Sequence, residues 1–196
     1  MALVLAGCSS PPEVKYYSLR GEKPIEVKLD ERAPAVLLDR FAADDSCADD
    51  RLAYRQGPHE LGFDPYSRWA GPPASQVEDA VRDLLTESGL FSAVRQAQPI
   101  GTGRSGYDLI VTGRLARFEE IDGDDAWQAA LDLELFLLDG KTRAVLASSR
   151  FARVAPSEKR NPRDVAAALA KLLDQAVAEF VQAARPQVAL RRGSAR

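Results

Sequence analysis

Residues 63–94 read FDPYSRWAGPPASQVEDAVRDLLTESGLFSAV, and this stretch decides the fold. Its middle is a helix. Val77, Ala80, Val81, Leu84 and Leu85 recur at helical spacing and make one apolar stripe. Glu78, Asp79, Arg82, Asp83 and Glu87 lie mostly off that stripe, and Glu78 stands one turn from Arg82, within pairing distance. Ser75 followed by Glu78 has the spacing of a capping box, so hydroxyl and carboxylate are expected to satisfy the first-turn amides. Gly89 supplies a left-handed stop, after which Leu90 and Phe91 return to the core as a strand begins. The lead-in, Tyr66-Ser67-Arg68-Trp69-Ala70-Gly71-Pro72-Pro73, must be extended, because proline restricts the residue before it. A helix with one apolar face needs a sheet to lie on.

Residues 107–154 supply that sheet as a meander. Trp127, Ala129, Leu131, Leu133, Leu135 and Leu137 alternate with more polar neighbours, the mark of a strand with one face buried. Asp139-Gly140 is a hairpin turn. An even loop there predicts Ala144 and Leu146 on the face of Leu133 and Leu135. At the preceding turn, residues 122–125, an odd loop or a bulge would bring Leu109, Val111 and Leu115 onto the same face, and burial favours that register. The opposite face is then expected to carry Ile110, Ala116, Phe118, Phe136 and Leu138. That face is apolar enough to need a cover, either the N-terminal strands or another subunit.

Upstream, residues 14–19 and 35–41 read as two strands, the second more buried. Residues 42–51 are an acidic loop around Cys47 that lacks the spacing and closing glutamate of an EF-hand. Segments 52–55 and 59–63 flank Gln56-Gly57-Pro58 as a small hairpin. Downstream, Asn161-Pro162 is a cap followed by proline at the first helical position, with Asp164 in the first turn. Val165, Leu169, Leu172, Leu173, Val177, Phe180 and Val181 belong to a long stripe. The second helix is expected to end before Pro186, leaving residues 187–196 as a disordered basic tail with Arg191, Arg192 and Arg196.

Composition narrows the chemistry. The chain has 196 residues, and its net charge of −3 argues against a nucleic-acid surface. Two cysteines and one histidine, His59, leave too few ligands for most zinc sites. Residues 101–106 match the letters of a dinucleotide fingerprint but precede a strand instead of opening a helix. Gly140-Lys141-Thr142 ends like a P-loop, yet its first glycine would fall at Leu135. His59 has no nucleophile elbow to serve. Glu119-Glu120 is read as a solvated pair at a strand end. No catalytic set, no metal site and no cofactor site emerges.

Residues 1–8, MALVLAGC, close on Leu5-Ala6-Gly7-Cys8, a lipobox whose thiol takes the lipid. Residues 1–8 are therefore read as a truncated lipoprotein signal, 9–13 as a tether and 14–186 as one α+β domain. Its sheet is expected to be mainly antiparallel, with the two helices packed on it. Cys8, the early Tyr16-Tyr17-Ser18-Leu19, Leu52-Ala53-Tyr54-Arg55, the lead-in from Tyr66 to Pro73 and Ser88-Gly89-Leu90-Phe91 occur in a distinctive order. In that order the chain resembles the PqiC-type auxiliary lipoproteins of ABC transport systems. The resemblance implies an α/β fold without catalytic residues. It also implies a periplasmic lipoprotein, usually on the outer membrane, working with an MCE-domain protein, a permease and an ATPase to move lipid between membranes. Ser9 and Ser10 lack the aspartate that retains many lipoproteins at the inner membrane, which favours the outer one. An envelope-assembly lipoprotein docking an outer-membrane protein or peptidoglycan is the alternative. Partner contact, or self-association, is expected to fall on Tyr66, Arg68 and Trp69 and on Phe118 and Phe136, since aromatic and arginine side chains dominate interface energetics; for Trp69 the other reading, and the weightier one, is packing in the core.

Overall fold

The computed structural model describes residues 12–19, 32–97, 106–123 and 126–192. The chain runs β1 (Lys15–Tyr17), β2 (Val36–Leu38), β3 (Ala42–Ala43), β4 (Arg51–Gln56), β5 (Glu60–Trp69), α1 (Pro73–Glu87), β6 (Val94–Gln96), β7 (Leu109–Asp122), β8 (Trp127–Asp139), β9 (Val145–Pro156) and α2 (Pro162–Arg192). The lipobox at Cys8 and most of the glycine run at 101–106 lie outside the described residues.

β7 is the spine. One of its edges takes β8 along nearly its whole length, antiparallel, and β8 takes β9 the same way. The other edge is filled in sequence by three short strands, β2 against Leu109–Val111, β3 against Arg114 and Leu115, and β4 against Glu119–Ile121, all parallel to β7. The chain thus walks along β7 as one interrupted strand, broken by residues 39–41 and a single 3₁₀ turn at Asp45–Cys47. β6 joins β2, and β5 carries β1 to the outer edge. Five of the eight strand pairings among the described residues are parallel. The sheet is therefore mixed, which corrects the mainly antiparallel expectation. Alternation reports which face of a strand is buried, and it is blind to strand direction.

Both helices lie on one face of this single domain. Val77, Val81 and Leu85 of α1 are fully buried, and Ala80 and Leu84 pack half-buried beside them. Gly89 adopts φ 62°, and Leu90 and Phe91 are buried behind it, as the sequence indicated. The capping box does not form. Pro72 is the cap residue and Pro73 opens the helix, so proline at the first position removes one donor that would need a partner. Glu78 turns inward instead and accepts the Phe41 N–H at 2.8 Å, tying α1 to the β2–β3 link. Arg82 pairs with Asp79 and Asp83, not with Glu78.

α2 begins as read, with the Asp164 N–H donating to Asn161 Oδ1 at 3.0 Å. It does not stop at Pro186. Its 31 residues span about 46 Å. Past the proline, Val188 is fully buried and Arg191 bonds Asp139 at 2.6 Å, so tertiary contacts outweigh the lost backbone bond. Residues 187–192 are helix, not a disordered tail; 193–196 lie outside the described residues.

Two irregularities set which side chains face the helices. β7 and β8 slip register between Leu115 and Arg117, so Leu115 pairs with Leu133 while Phe118 pairs with Leu131. The bulge brings Leu109, Val111 and Leu115 into the core, as burial demanded, and it also carries Phe118 there. Phe118 is 2% exposed, so its assignment to the outer face is corrected. A second slip, between β8 and β9 near Leu138, pairs Leu137 with Ala147 and Leu133 with Phe151. Ala147 and Phe151 therefore share the face of Leu133, Leu146 packs half-buried against the same core from within the slip, and Ala144 is exposed ahead of the strand. On the opposite face Leu37, Ala97, Ile110 and Leu138 form a smaller cluster with half-buried Tyr107 and Phe136.

Candidate docking surface

The lead-in to α1 is built as the last part of β5, and it contains a wide bulge. Two residue steps of β4, Arg51 to Ala53, face five of β5, Phe63 to Arg68. Asp64 closes the extra loop, its Oδ1 accepting the Tyr66 N–H at 2.7 Å and the Ser67 N–H at 3.1 Å. An aspartate before proline is suited to such a turn. Tyr66 is thrown outward, 44% exposed, while Ser67 and Trp69 are buried.

Arg68 faces out and donates to Asp50 Oδ1 at 2.8 Å. Beside it Arg51 makes a bidentate pair with Asp49, with its closest contact at 2.6 Å, and stacks over Phe63 at 4.9 Å. Arg51 hydrogen-bonds hold the Asp49 carboxyl down at about 2. Tyr16 of β1 pairs in register with Arg68 and is 66% exposed. Together Tyr16, Asp50, Arg51, Arg68, Gly71 and Pro72 line an open groove of about 500 Å³.

Trp69 goes the other way. It is 1% exposed and lies against Phe118 with ring centroids 4.7 Å apart, and its Nε1 has no hydrogen-bond partner. Of the five residues expected to meet a partner, Tyr66 and Arg68 reach a common surface and Phe136 stands half-buried on the outer sheet face. Trp69 and Phe118 sit in the core as each other's neighbours. The pairing could not be read from spacing, because the β7 bulge reverses the parity of Phe118.

β1 is fastened firmly for three residues at a sheet edge. Besides its ladder to β5, the Ala70 N–H bonds Tyr17 O at 2.8 Å. Gln76 of α1 accepts the Leu19 N–H at 3.1 Å and reaches Tyr17 O at 3.4 Å. Lys15 and Tyr17 also line a cavity of about 310 Å³ with Lys159, Asn161 and Pro162, so β1 begins beside the start of α2.

The buried acids were not legible as such. Glu119 and Glu120, read as a solvated pair, are 2% and 4% exposed. Burial pushes Glu119 up, but hydrogen bonds from Arg55 at 2.6 Å and Arg117 at 2.7 Å outweigh it and hold the carboxyl below its usual range. Glu120 lacks such a partner salt bridge. Burial, reinforced by Asp122 and Asp64 against an opposing Arg160, lifts it to about 7. Glu78 is likewise raised by burial. Cys47 is buried, and burial raises its thiol to about 11, far from a nucleophile's range. Among the described residues no group of three or more His, Cys, Asp or Glu is placed to hold a metal ion. No helix among them is long and apolar enough to cross a membrane.

Comparison with curated proteins finds no significant match. Among solved structures, protein XCC0632 from Xanthomonas campestris superposes with a TM-score of 0.71 at 24% identity, covering 91% of this chain and 99% of its own. An uncharacterized protein follows at 0.66 and 16%, covering 87% of this chain and 97% of its own. These likenesses share the fold. A family model, that of the ABC-type transport auxiliary lipoprotein component, matches residues 17–181.

Proposed function

The chain belongs to the ABC-type transport auxiliary lipoprotein family, and from that premise we propose that it is a non-enzymatic adaptor of an MCE-type intermembrane lipid transporter. In this reading Cys8 is lipidated and holds the domain at the periplasmic face of the outer membrane. The domain then docks an MCE-domain protein, while a separate permease and ATPase supply the energy. The family match over residues 17–181 carries the reading. Two groups that could do chemistry are spent on structure, Glu119 on two arginines and Cys47 on the core. Near β1 the side chains that reach solvent include Tyr16, Tyr66 and the paired Arg51 and Arg68, residue types that favour a contact surface.

The test is binding. The unlipidated domain is mixed with its cognate MCE protein and followed by pull-down and sedimentation, with Tyr66→Ala, Arg68→Ala and Phe136→Asp variants. Binding that weakens in these variants while the fold persists supports the adaptor. Binding to peptidoglycan or to an outer-membrane protein alone would favour an envelope-assembly role.

A further inference from the structure

We propose that the end of the domain carrying Val14, Tyr16 and Tyr66 rests against the lipid surface that holds the anchor, with both tyrosines at headgroup level. The proposal rests on the reading of Cys8 as the lipidated residue.

Strand direction fixes which end this is. β1 runs parallel to β5, β5 antiparallel to β4, and β4 parallel to β7. The first residue of β1 therefore points toward the end of β7 at Asp122, which is also the end of β9 at Pro156 and the start of α2. The cavity that Lys15 shares with Asn161 and Pro162 agrees. The opposite end of the molecule carries Val145 and Leu190, beside the Arg191–Asp139 bond. It lies about 40 Å away along α2.

The tether is short. Seven residue steps separate Cys8 from Lys15, at most about 25 Å of chain even when fully extended. Because β1 is fastened by β5 and by Gln76, the domain cannot lengthen that reach without losing these bonds. An acyl chain on Cys8 cannot pass the far end, so the β1 end faces the lipid.

The surface at that end suits such a position. Three of the large apolar side chains that the fold leaves exposed are Val14 (39%), Tyr16 (66%) and Tyr66 (44%). Tyrosine offers an apolar ring and a wet hydroxyl, the combination that enriches it at membrane–water interfaces. The wide bulge in β5, closed by Asp64, serves to project Tyr66. Of the cations at this end, Arg68 is paired with Asp50 and Arg51 with Asp49, while Lys15 is exposed between Val14 and Tyr16.

The chain from Cys8 onward allows a direct test. Cys47 is buried and its thiol is raised, so a maleimide-bearing phospholipid couples at Cys8 alone. Tyr16→Trp, Tyr66→Trp, Val145→Trp and Leu190→Trp variants are anchored in this way. The vesicles are of phosphatidylcholine and phosphatidylethanolamine, with or without brominated acyl chains. Emission of the unsubstituted chain is subtracted, and circular dichroism checks each fold. Tryptophan at 16 and at 66 loses emission in brominated vesicles and shifts to the blue. Tryptophan at 145 and at 190 does neither, and high salt leaves the pattern unchanged. No loss at 16 and 66, equal loss at all four sites, or crosslinking of residue 16 to a second copy instead of quenching would each overturn the proposal. Lipidation of Cys8 is read separately, by labelled fatty acid incorporated in cells. Because the vesicle anchor is supplied chemically, a failure of either reading is seen without the other.

Discussion

Glu120 should make the domain less stable as pH rises through neutrality. Glu120 is 4% exposed and lies near Asp122 and Asp64, with Arg160 opposing them, and its pKa stands at about 7 against an ordinary 4.5. A folded pKa above the unfolded one means that the folded state holds the proton more tightly. The contribution is therefore present in full below pH 4.5 and is lost as pH rises toward 7 and beyond. Integrated from pH 5 to pH 8, the loss is on the order of 2–3 kcal/mol. Glu120→Gln replaces the acid by a neutral isostere and should abolish it. Urea unfolding of the unlipidated wild type and the variant at the two pH values gives the difference directly. Near 2 kcal/mol per molar urea, the wild-type midpoint should fall by about 1 M more than that of the variant. Asp49 and Asp139, both held at about 2, lose their contributions only in strong acid, outside this window. Glu78 shifts in the same direction as Glu120 but is shared by both proteins, so it cancels. Equal pH dependence in wild type and variant would refute the placement of Glu120 as an unpaired buried acid.

Phe118→Ala should cost about 3–5 kcal/mol, because it empties the site against Trp69, whereas Tyr66→Ala should cost under about 0.5 kcal/mol; thermal melts of the two distinguish core from surface. Leu85→Asp places a charge where exposure is 0% and should cost several kcal/mol, enough to unfold a domain of ordinary stability, which circular dichroism would register. Cys8→Ser, expressed with a complete signal, should move the protein from the membrane to the soluble fraction while leaving it folded. A serine variant that still pellets with membranes would contradict the anchor.

Much of the fold was legible because burial leaves a period. The α1 stripe, the Gly89 stop, the Asn161 cap of α2 and the alternation of β8 each depend on neighbours within a few residues. What failed depends on partners far along the chain. Strand direction leaves no trace in alternation, so three short parallel strands along β7 were not foreseen. One extra residue near Ala116 reverses the parity of everything after it, which moved Phe118 from the outer face to the core. Glu78 has the spacing of a local cap, but the Phe41 amide, 37 positions away, takes its carboxylate. Pro186 is a helix breaker locally, yet Val188 and Arg191 hold the last turns through contacts the sequence does not pair. At the docking surface, aromatic and arginine composition singled out the right segment. It could not separate Tyr66, which points out, from Trp69, which points in, because an Asp64 bulge lies between them and the preceding strand.

The central claim, an adaptor held to the membrane for an MCE-type transporter, is tested most directly by purifying the lipidated, tagged protein from native membranes and identifying what accompanies it. The MCE-domain protein should co-purify, with permease and ATPase behind it, and the Cys8→Ser variant should lose them. Recovery of the lipidated protein with an outer-membrane protein or peptidoglycan and without any MCE protein would contradict it.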